Sequence, residues 1–184
     1  MGAEPLTAST SFLSLRRFVD ERKGAGAFQK VRERLALQHG VELPAIVAPT
    51  RWYPTRSFVL ALDVARQVVG QPLFLEQFGA RSCDYEVKLA YRVLLRFTSP
   101  AWALEQGTNM WNKAHDTGRW TMESKSGWIR GTLRDFGVTH AGFCKALCAW
   151  MTRAAQMTGT PDARVWHPAC RAAGHEACVF EGEW

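Results

Sequence analysis

The hydrophobic pattern changes its period at residues 118–133, GRWTMESKSGWIRGTL. Gly118–Glu123 and Trp128–Leu133 each alternate between apolar and polar side chains, which is the pattern of a β-strand with one buried face. Lys125-Ser126-Gly127 lies between them and has the length of a hairpin loop. The segment therefore predicts two antiparallel strands in a row.

The rest of the C-terminal half extends this pattern. A helix of about 18 residues is predicted to begin after Thr139 as its cap and to end at Gly159, because glycine is a common helix-stop residue. Asp162–Trp166 and Ala177–Phe180 are predicted as the last two strands. The order is β-β-α-β-β, and each pair of strands is close enough in sequence to be antiparallel.

The N-terminal half has helical periodicity instead. A first helix is expected after Ser11, a second from Phe28, and a third from Ser57 to Val69. Residues 80–97 are predicted as one long helix with Tyr85, Leu89, Val93 and Leu94 facing inward. Ser99-Pro100 is typical of a cap followed by a first-turn proline, and the helix that it opens is expected to reach about His115. The fold class is α+β: a helical N-terminal half packed on a small antiparallel sheet.

Length and composition indicate one domain. The chain has 184 residues, of which 47% are hydrophobic and 22% are charged, and a chain of this size can bury a core without disulfides. We expect residues 1–9 to be a flexible N-terminus and residues 10–184 to form a single domain. No secretory signal or membrane span is visible. Five cysteines are an odd number, which favours a reducing cytoplasm.

The net charge of +6 does not indicate nucleic-acid binding. Phosphate binding requires basic side chains on one face, whereas the arginines and lysines between residues 10 and 35 fall on several sides of two short helices. A membrane surface is not expected as a partner either.

A cysteine and histidine cluster is the most informative motif. His167, Cys170 and Cys178 flank the last predicted loop, and Cys144 lies upstream in the preceding helix. Three thiolates and one imidazole would suit a tetrahedral zinc ion. Cys148 lies one helical turn from Cys144 and competes for the same place. Two other interpretations stay open: the cysteines are small core residues, or Cys170 and Cys178 form a redox pair.

The tail Cys170-Arg-Ala-Ala-Gly174-His-Glu-Ala-Cys178-Val-Phe180 resembles the closing motif of 4-vinyl-reductase-type sensory domains. The resemblance implies a structural zinc held by Cys144, Cys170, Cys178 and a carboxylate three residues before Cys170. His167 stands at that last position, and histidine is also a competent zinc ligand. The resemblance further implies a domain that encloses a small apolar ligand or binds a protein partner.

Two further resemblances differ in extent: the first covers most of residues 10–184, and the second covers only the opening of the chain. Trp52-Tyr53-Pro54, Leu95–Pro100, Asp116-Thr-Gly118 and the C-terminal cysteine motif are similar to a myxobacterial family of unknown function. Phe12–Leu35 resembles the start of heme-based nitric-oxide sensor domains. Those domains carry a Tyr-x-Ser-x-Arg motif that is absent from this sequence, so heme is disfavoured as a cofactor.

Eight tryptophans are a large number for this length, and they suit the wall of an apolar pocket with a few polar groups. The candidate ligand-binding residues are Tyr91, Trp111, Trp120, Trp128 and His140, and His115 is a further polar candidate of the pocket. The alternative is that these rings are simply core. Catalysis is not expected, because no Gly-x-Ser-x-Gly motif, phosphate-binding loop or paired carboxylates occur.

The sequence thus predicts a non-enzymatic cytoplasmic sensory or adaptor domain with a structural zinc. It would bind a small hydrophobic or aromatic ligand and signal through contact with a protein partner, and a homodimer is plausible. The alternative is a scaffold or protein-interaction domain of the same fold that binds no ligand.

Overall fold

A computed structural model describes residues 3–45, 47–87 and 89–184, and the side chains of residues 89 and 90 lie outside this description. Within it, seven helices and six strands follow one another. The helices are α1 (Ser9–Lys23), α2 (Phe28–His39), α3 (Thr55–Val69), α4 (Phe74–Glu86), α5 (Leu89–Leu95), α6 (Pro100–Ala114) and α7 (Ala141–Gln156). The strands are β1 (Leu6–Ala8), β2 (Trp52–Pro54), β3 (Arg119–Lys125), β4 (Trp128–Arg134), β5 (Arg164–Ala169) and β6 (Cys178–Glu183).

The C-terminal half is a four-stranded antiparallel sheet in the order β3-β4-β6-β5. The hairpin pairs Lys125 with Trp128, and β6 lies next to β4 with Cys178 opposite Leu133. Helix α7 connects β4 to β5. The predicted α+β class and the β-β-α-β-β order are confirmed, because alternating apolar residues bury one face of each central strand.

The N-terminal half is held together by aromatic side chains. Phe12 lies 5.2 Å from Phe58, and Phe18 lies 5.4 Å from Phe74, both edge-to-face between ring centroids. These four phenylalanines are at most 3% exposed and come from α1, α3 and α4. Burying a ring of this kind stabilises the fold by about 2 kcal/mol or more, so the three helices form one core.

The region predicted as one helix over residues 80–97 is two helices. Helix α4 begins at Phe74, ends at Glu86, and is followed by α5. Arg92 accounts for the break: its guanidinium donates hydrogen bonds to the carbonyl oxygens of Asp84 and Val87 at the end of α4. Val93 and Leu94 were expected to face inward, but they are 55% and 61% exposed.

Helix starts differ from the predictions at three places. Residues 6–8, expected in a flexible terminus, pair with β2 as β1, so α1 begins at Ser9 rather than after Ser11. Helix α3 begins at Thr55, before Ser57. Helix α7 is capped by His140, whose Nδ1 accepts a hydrogen bond from the Phe143 N–H, and not by Thr139. The predicted cap of α6 is confirmed, since the Ser99 hydroxyl accepts from the Trp102 N–H at 3.2 Å.

A glycine sets the distance between α4 and α7. A methyl group added at Gly79 would lie 1.9 Å from the carbonyl oxygen of Ala146, which is far inside van der Waals contact. Only a residue without a side chain therefore allows the two backbones to approach this closely.

No single described helix is long and apolar enough to cross a bilayer. The broken pair α3 and α4 passes the same length and composition test together, with a bend of 114° between its halves.

Candidate functional site

An apolar cavity lies between α1, α4, α6 and α7 and has a volume of about 550 Å³. Its walls are mostly apolar and aromatic, as in many small-molecule sites. The aromatic lining comprises Phe58, Phe78, Tyr85, Trp111, Phe143 and Trp150. These side chains come from four helices, so only the folded arrangement brings them together.

Glu86 places a carboxyl group in this apolar wall. One of its oxygens accepts a hydrogen bond from the Ser14 hydroxyl at 3.3 Å, and the other accepts from the Trp150 indole N–H at 3.0 Å. Burial raises the pKa of Glu86 to about 7, although both hydrogen bonds act in the opposite direction. The group is therefore balanced between its charged and neutral forms near neutral pH.

His115 is a second polar group in the wall. Its Nδ1 lies 3.0 Å from the Thr7 hydroxyl, which is itself 2.9 Å from the Thr55 hydroxyl. The ring stacks at a tilt against Trp111, with centroids 4.2 Å apart. Burial lowers the pKa of His115 to about 3, so the imidazole is neutral at physiological pH.

Charged residues gather at one edge of the cavity around Tyr85. The Tyr85 hydroxyl donates to Glu21, and burial raises the pKa of Tyr85 to about 12. The Arg17 guanidinium lies 4.0 Å above the Tyr85 ring and also binds Glu21. Arg17 is largely exposed, so this edge faces solvent.

Of the predicted ligand-binding residues, Trp111 lines the cavity and the other four lie elsewhere. Trp120 packs on Phe180, Trp128 lies under Lys125, and Tyr91 is 42% exposed on α5. His140 caps α7 and its Nε2 lies 2.8 Å from an Asp63 carboxylate oxygen. That contact directs the imidazole toward α3 rather than toward Cys144.

Sequence reasoning missed Glu86, whereas it named His115 as a polar candidate of the pocket, and His115 does line the cavity. An acid within the apolar periodicity of residues 80–97 was a signal for Glu86, since a charged residue on a buried face usually has a specific role.

The predicted metal ligands do converge. The ligand atoms of Cys144, His167, Cys170 and Cys178 all lie within 4.8 Å of one another. The sulfurs of Cys144 and Cys178 are 3.7 Å apart, which is the edge of a tetrahedron with metal–sulfur bonds of about 2.3 Å. Helix α7, strands β5 and β6, and the turn between them supply the four residues.

His167 is oriented as a metal ligand would be. Its Nδ1 lies 2.7 Å from the carbonyl oxygen of Val179 and must carry the proton, because a carbonyl can only accept. In the neutral ring Nε2 is then the acceptor, whereas in the protonated ring it carries the proton that a bound metal would displace. Among the described residues this atom is buried without a hydrogen-bond partner. A backbone contact at one imidazole nitrogen commonly directs the other toward a metal.

The Cys178 thiol is set up to ionise. The Cys144 thiol beside it, helped by His167 and by the Arg171 N–H at 3.4 Å, lowers the pKa of Cys178 to about 4 despite burial. Burial alone lowers the pKa of His167, yet the cysteine neighbours and the Val179 carbonyl raise it overall to about 9. Cys148 lies outside the group and donates to the Val165 carbonyl oxygen at 3.0 Å.

No protein-family model matches this sequence, and no curated protein matches it either. The fold, in contrast, matches solved H-NOX domains. An H-NOX protein from S. oneidensis in the Fe(II) ligation state has a TM-score of 0.72 at 12% identity, covering 96% of this chain and 95% of that one. An unliganded Fe(II) H-NOX protein from K. algicida has a TM-score of 0.70 at 11% identity, with the same coverage.

A third match is an H-NOX domain from Shewanella oneidensis in the Fe(II)CO ligation state, with a TM-score of 0.66 at 14% identity, covering 96% and 97% of the two chains. The resemblance to heme-based nitric-oxide sensor domains is thus confirmed at the level of fold. The matches do not support the resemblance to 4-vinyl-reductase-type domains or to the myxobacterial family.

These matches also overturn the cofactor prediction. The sequence predicted zinc and disfavoured heme. The solved domains with this fold are instead H-NOX proteins in an Fe(II) state, or H-NOX proteins studied for the distortion of their heme. The Tyr-x-Ser-x-Arg motif is absent from this sequence, so the match concerns the fold and not that motif.

Proposed function

We propose that this chain is a sensory domain that binds a small guest molecule in the cavity between α1, α4, α6 and α7. The observation that carries the proposal is the cavity of about 550 Å³ with aromatic walls and two buried polar groups, Glu86 and His115. A ligand-free scaffold has no need of an apolar, aromatic-lined cleft of this size, whereas small-molecule sites usually have one.

Heme is the first guest to consider, since the fold points to it. The residues present are compatible with it: the cavity is apolar, and His115 is a neutral imidazole in its wall. His115 would be the iron ligand, and Arg17 and Lys113, which also line the cavity, would pair with the carboxylates. Bound heme supplies an iron able to coordinate a small gaseous molecule.

A small aromatic molecule without metal is the second candidate. Its support is the number of rings in the wall, since Trp111, Trp150 and Phe143 offer stacking partners. Trp111 keeps its indole N–H bonded to the Thr117 carbonyl oxygen at 2.9 Å, which fixes the plane of one such ring. Neither candidate requires the chain to be an enzyme.

A protein partner would read out the occupied state. Helix α5 and the turn after it expose Val93, Leu94 and Phe97, the last of which is 85% exposed. Exposed apolar side chains that adjoin one another are typical of interaction surfaces. A homodimer through this surface is one form of the same proposal.

We also propose that Cys144, His167, Cys170 and Cys178 bind one metal ion that prefers thiolate ligands. The support is the convergence of the four ligand atoms and the unpartnered Nε2 of His167. The ion would tie α7 to the β5–β6 turn, so its role would be structural.

Titration of the purified chain with hemin tests the first candidate. If heme is the guest, we expect a Soret band that saturates at about one heme per chain. The band should be lost or shifted in His115→Ala. His175→Ala is the matched control, because His175 is exposed and far from the cavity wall.

Gly107→Leu is a second test that does not depend on the guest. Gly107 lines the cavity, and the nearest atom to an added methyl group is on the Trp150 ring at 4.0 Å, so a leucine would occupy the space itself. The variant should fold and fail to bind both hemin and aromatic molecules. Unchanged binding of a guest in this variant would contradict the proposed site.

A further inference from the structure

The carboxyl group of Glu86 has no positive partner within the described part of the chain. None of the ion pairs there includes Glu86, and its hydrogen bonds come from the neutral Ser14 and Trp150 side chains. A buried carboxylate without a countercharge is costly. The two uncharged hydrogen-bond donors compensate part of this free-energy cost. A bound cation would offset the rest.

The cationic residues that line the same cavity are engaged elsewhere or exposed. Arg17 binds Glu21 and lies over Tyr85, and Lys113 is exposed. His115 is neutral, because its buried ring has a pKa of about 3. Among the lining residues that the structure describes, Glu86 is the single acid.

The surroundings of Glu86 are aromatic. Trp150 donates to its carboxylate, and Tyr85, Phe78 and Trp111 line the same space. Aromatic faces attract cations through the ring quadrupole, with about 2 kcal/mol available when the cation is desolvated. An acid among several rings is the arrangement that recognises organic ammonium ions.

We propose that the cavity selects a small organic ammonium ion, an amine attached to an apolar or aromatic body, with Glu86 as its countercharge. This inference rests on the proposed function and names the chemical class of the guest. The ammonium group would approach the two Glu86 oxygens, and the body would lie against Trp111 and Trp150. A guest whose carboxylate would lie beside Glu86, in the place of the ammonium group, would be disfavoured by repulsion.

The ionisation of Glu86 supports the same guest class. Its pKa of about 7 in the free protein means that a nearby cation is enough to keep the carboxyl group charged. A neutral guest would instead leave it protonated.

The experiment compares three guests with one body: 2-phenylethylamine, 2-phenylethanol and phenylacetate. Their dissociation constants are measured by tryptophan fluorescence and calorimetry with the full chain. We expect the amine to bind at least about tenfold more tightly than the alcohol, and phenylacetate to bind most weakly. This ranking in the unmodified chain needs no variant.

Glu86→Gln then removes the charge and keeps the shape. We expect it to abolish the preference for the amine while the affinity for the alcohol stays within about twofold. Glu76→Gln is the matched control, because Glu76 is on the same helix but outside the cavity lining. The control should keep the full preference.

The outcomes separate the two proposals. Equal binding of amine and alcohol, or a preference that survives in Glu86→Gln, overturns the ammonium guest and leaves the cavity function standing. Hemin binding together with no binding of any phenethyl compound does the same. If hemin and all three compounds fail to bind, the proposed function fails as well.

Discussion

The two sites lie on either side of the same helix, α7, and they differ in how their polar groups are satisfied. On one side Cys144 joins three other ligands, which all point at a single position. On the other side Phe143 and Trp150 help to line the cavity. Glu86 and His115 are the polar groups in its wall, and neither has a charged partner among the described residues. As proposed, the first arrangement would be complete with one ion, whereas the second would be complete only with a guest. The cluster is therefore expected to accept one kind of ligand, a metal ion. The choice of guest in the cavity depends instead on a few polar groups in its wall.

The largest effect is expected where α4 meets α7. Gly79→Ala would force a methyl group against the Ala146 carbonyl oxygen, so the helices must separate. We expect a loss of about 3 kcal/mol in the free energy of unfolding, measured by urea denaturation. Gly107→Ala is the control, since its methyl group would make only an ordinary contact, 4.0 Å from the Trp150 ring, and alanine in a helix should add up to about 1 kcal/mol. Similar stability in the two variants would show that the close contact is not as tight as described.

The cysteine cluster should give the next largest effect. Cys178→Ala removes one of the four ligand atoms, so elemental analysis should show the bound metal falling from about one ion per chain to a small fraction. The melting temperature should fall by about 5 °C or more, as expected for a loss of about 2 kcal/mol in a chain of this length.

Cys148→Ala distinguishes the cluster from its neighbour. Cys148 is on the same helix as Cys144, but its thiol binds the Val165 carbonyl and not the cluster. This variant should keep its full metal content. Metal loss in both variants, or in neither, would refute the assignment of the four ligands.

A smaller effect is expected in the pH dependence of the free energy of unfolding, which tests the cavity and not the cluster. The pKa of Glu86 is raised from 4.5 to about 7 in the folded chain, so the folded state holds the proton more tightly than the unfolded state. The wild-type chain should therefore lose stability relative to Glu86→Gln as the pH rises from about 4.5 to about 7, by about 2 kcal/mol in total.

His115 acts with the opposite sign. Its pKa is lowered from 6.5 to about 3, so its contribution is present above pH 6.5 and is lost as the pH falls toward 3. Because both chains contain His115, the difference between wild type and Glu86→Gln cancels it. A difference that stays flat from pH 4 to pH 8 would mean that the carboxyl group is not enclosed.

The smallest effect is expected at the exposed ion pair between α4 and α7. Lys145 lies 2.8 Å from a Glu76 carboxylate oxygen, and its side chain is 58% exposed. Lys145→Ala should cost about 0.5 kcal/mol or less, and the cost should shrink at high salt. A cost comparable to that of Gly79→Ala would mean that charge, rather than backbone contact, holds the helices together.

The sequence predicted the cluster well because its ligands are local. His167, Cys170 and Cys178 belong to one hairpin, and alternation of apolar residues was enough to place both strands. The helix carrying Cys144 had to cover the sheet. Only tertiary packing could separate Cys144 from Cys148, and the Val165 carbonyl contact does so.

The cavity could not be predicted in the same way. Its walls come from residues between Thr10 and Trp150, so no local pattern contains it. The break after Glu86 also depends on Arg92 reaching back to backbone carbonyls, whereas the apolar periodicity continues through that point. Without the break, Tyr91 was assigned to a binding surface that it does not reach.

The contact at Gly79 also determines how a molecule can reach the interior. Because no side chain separates α4 from α7 at Gly79 and Ala146, the two helices cannot part there without breaking backbone packing. Passage is then left to the solvent-facing edge, where Tyr85 is held by Arg17 and Glu21. We expect rotation of one phenol ring, and not helix movement, to set the rate of entry and escape.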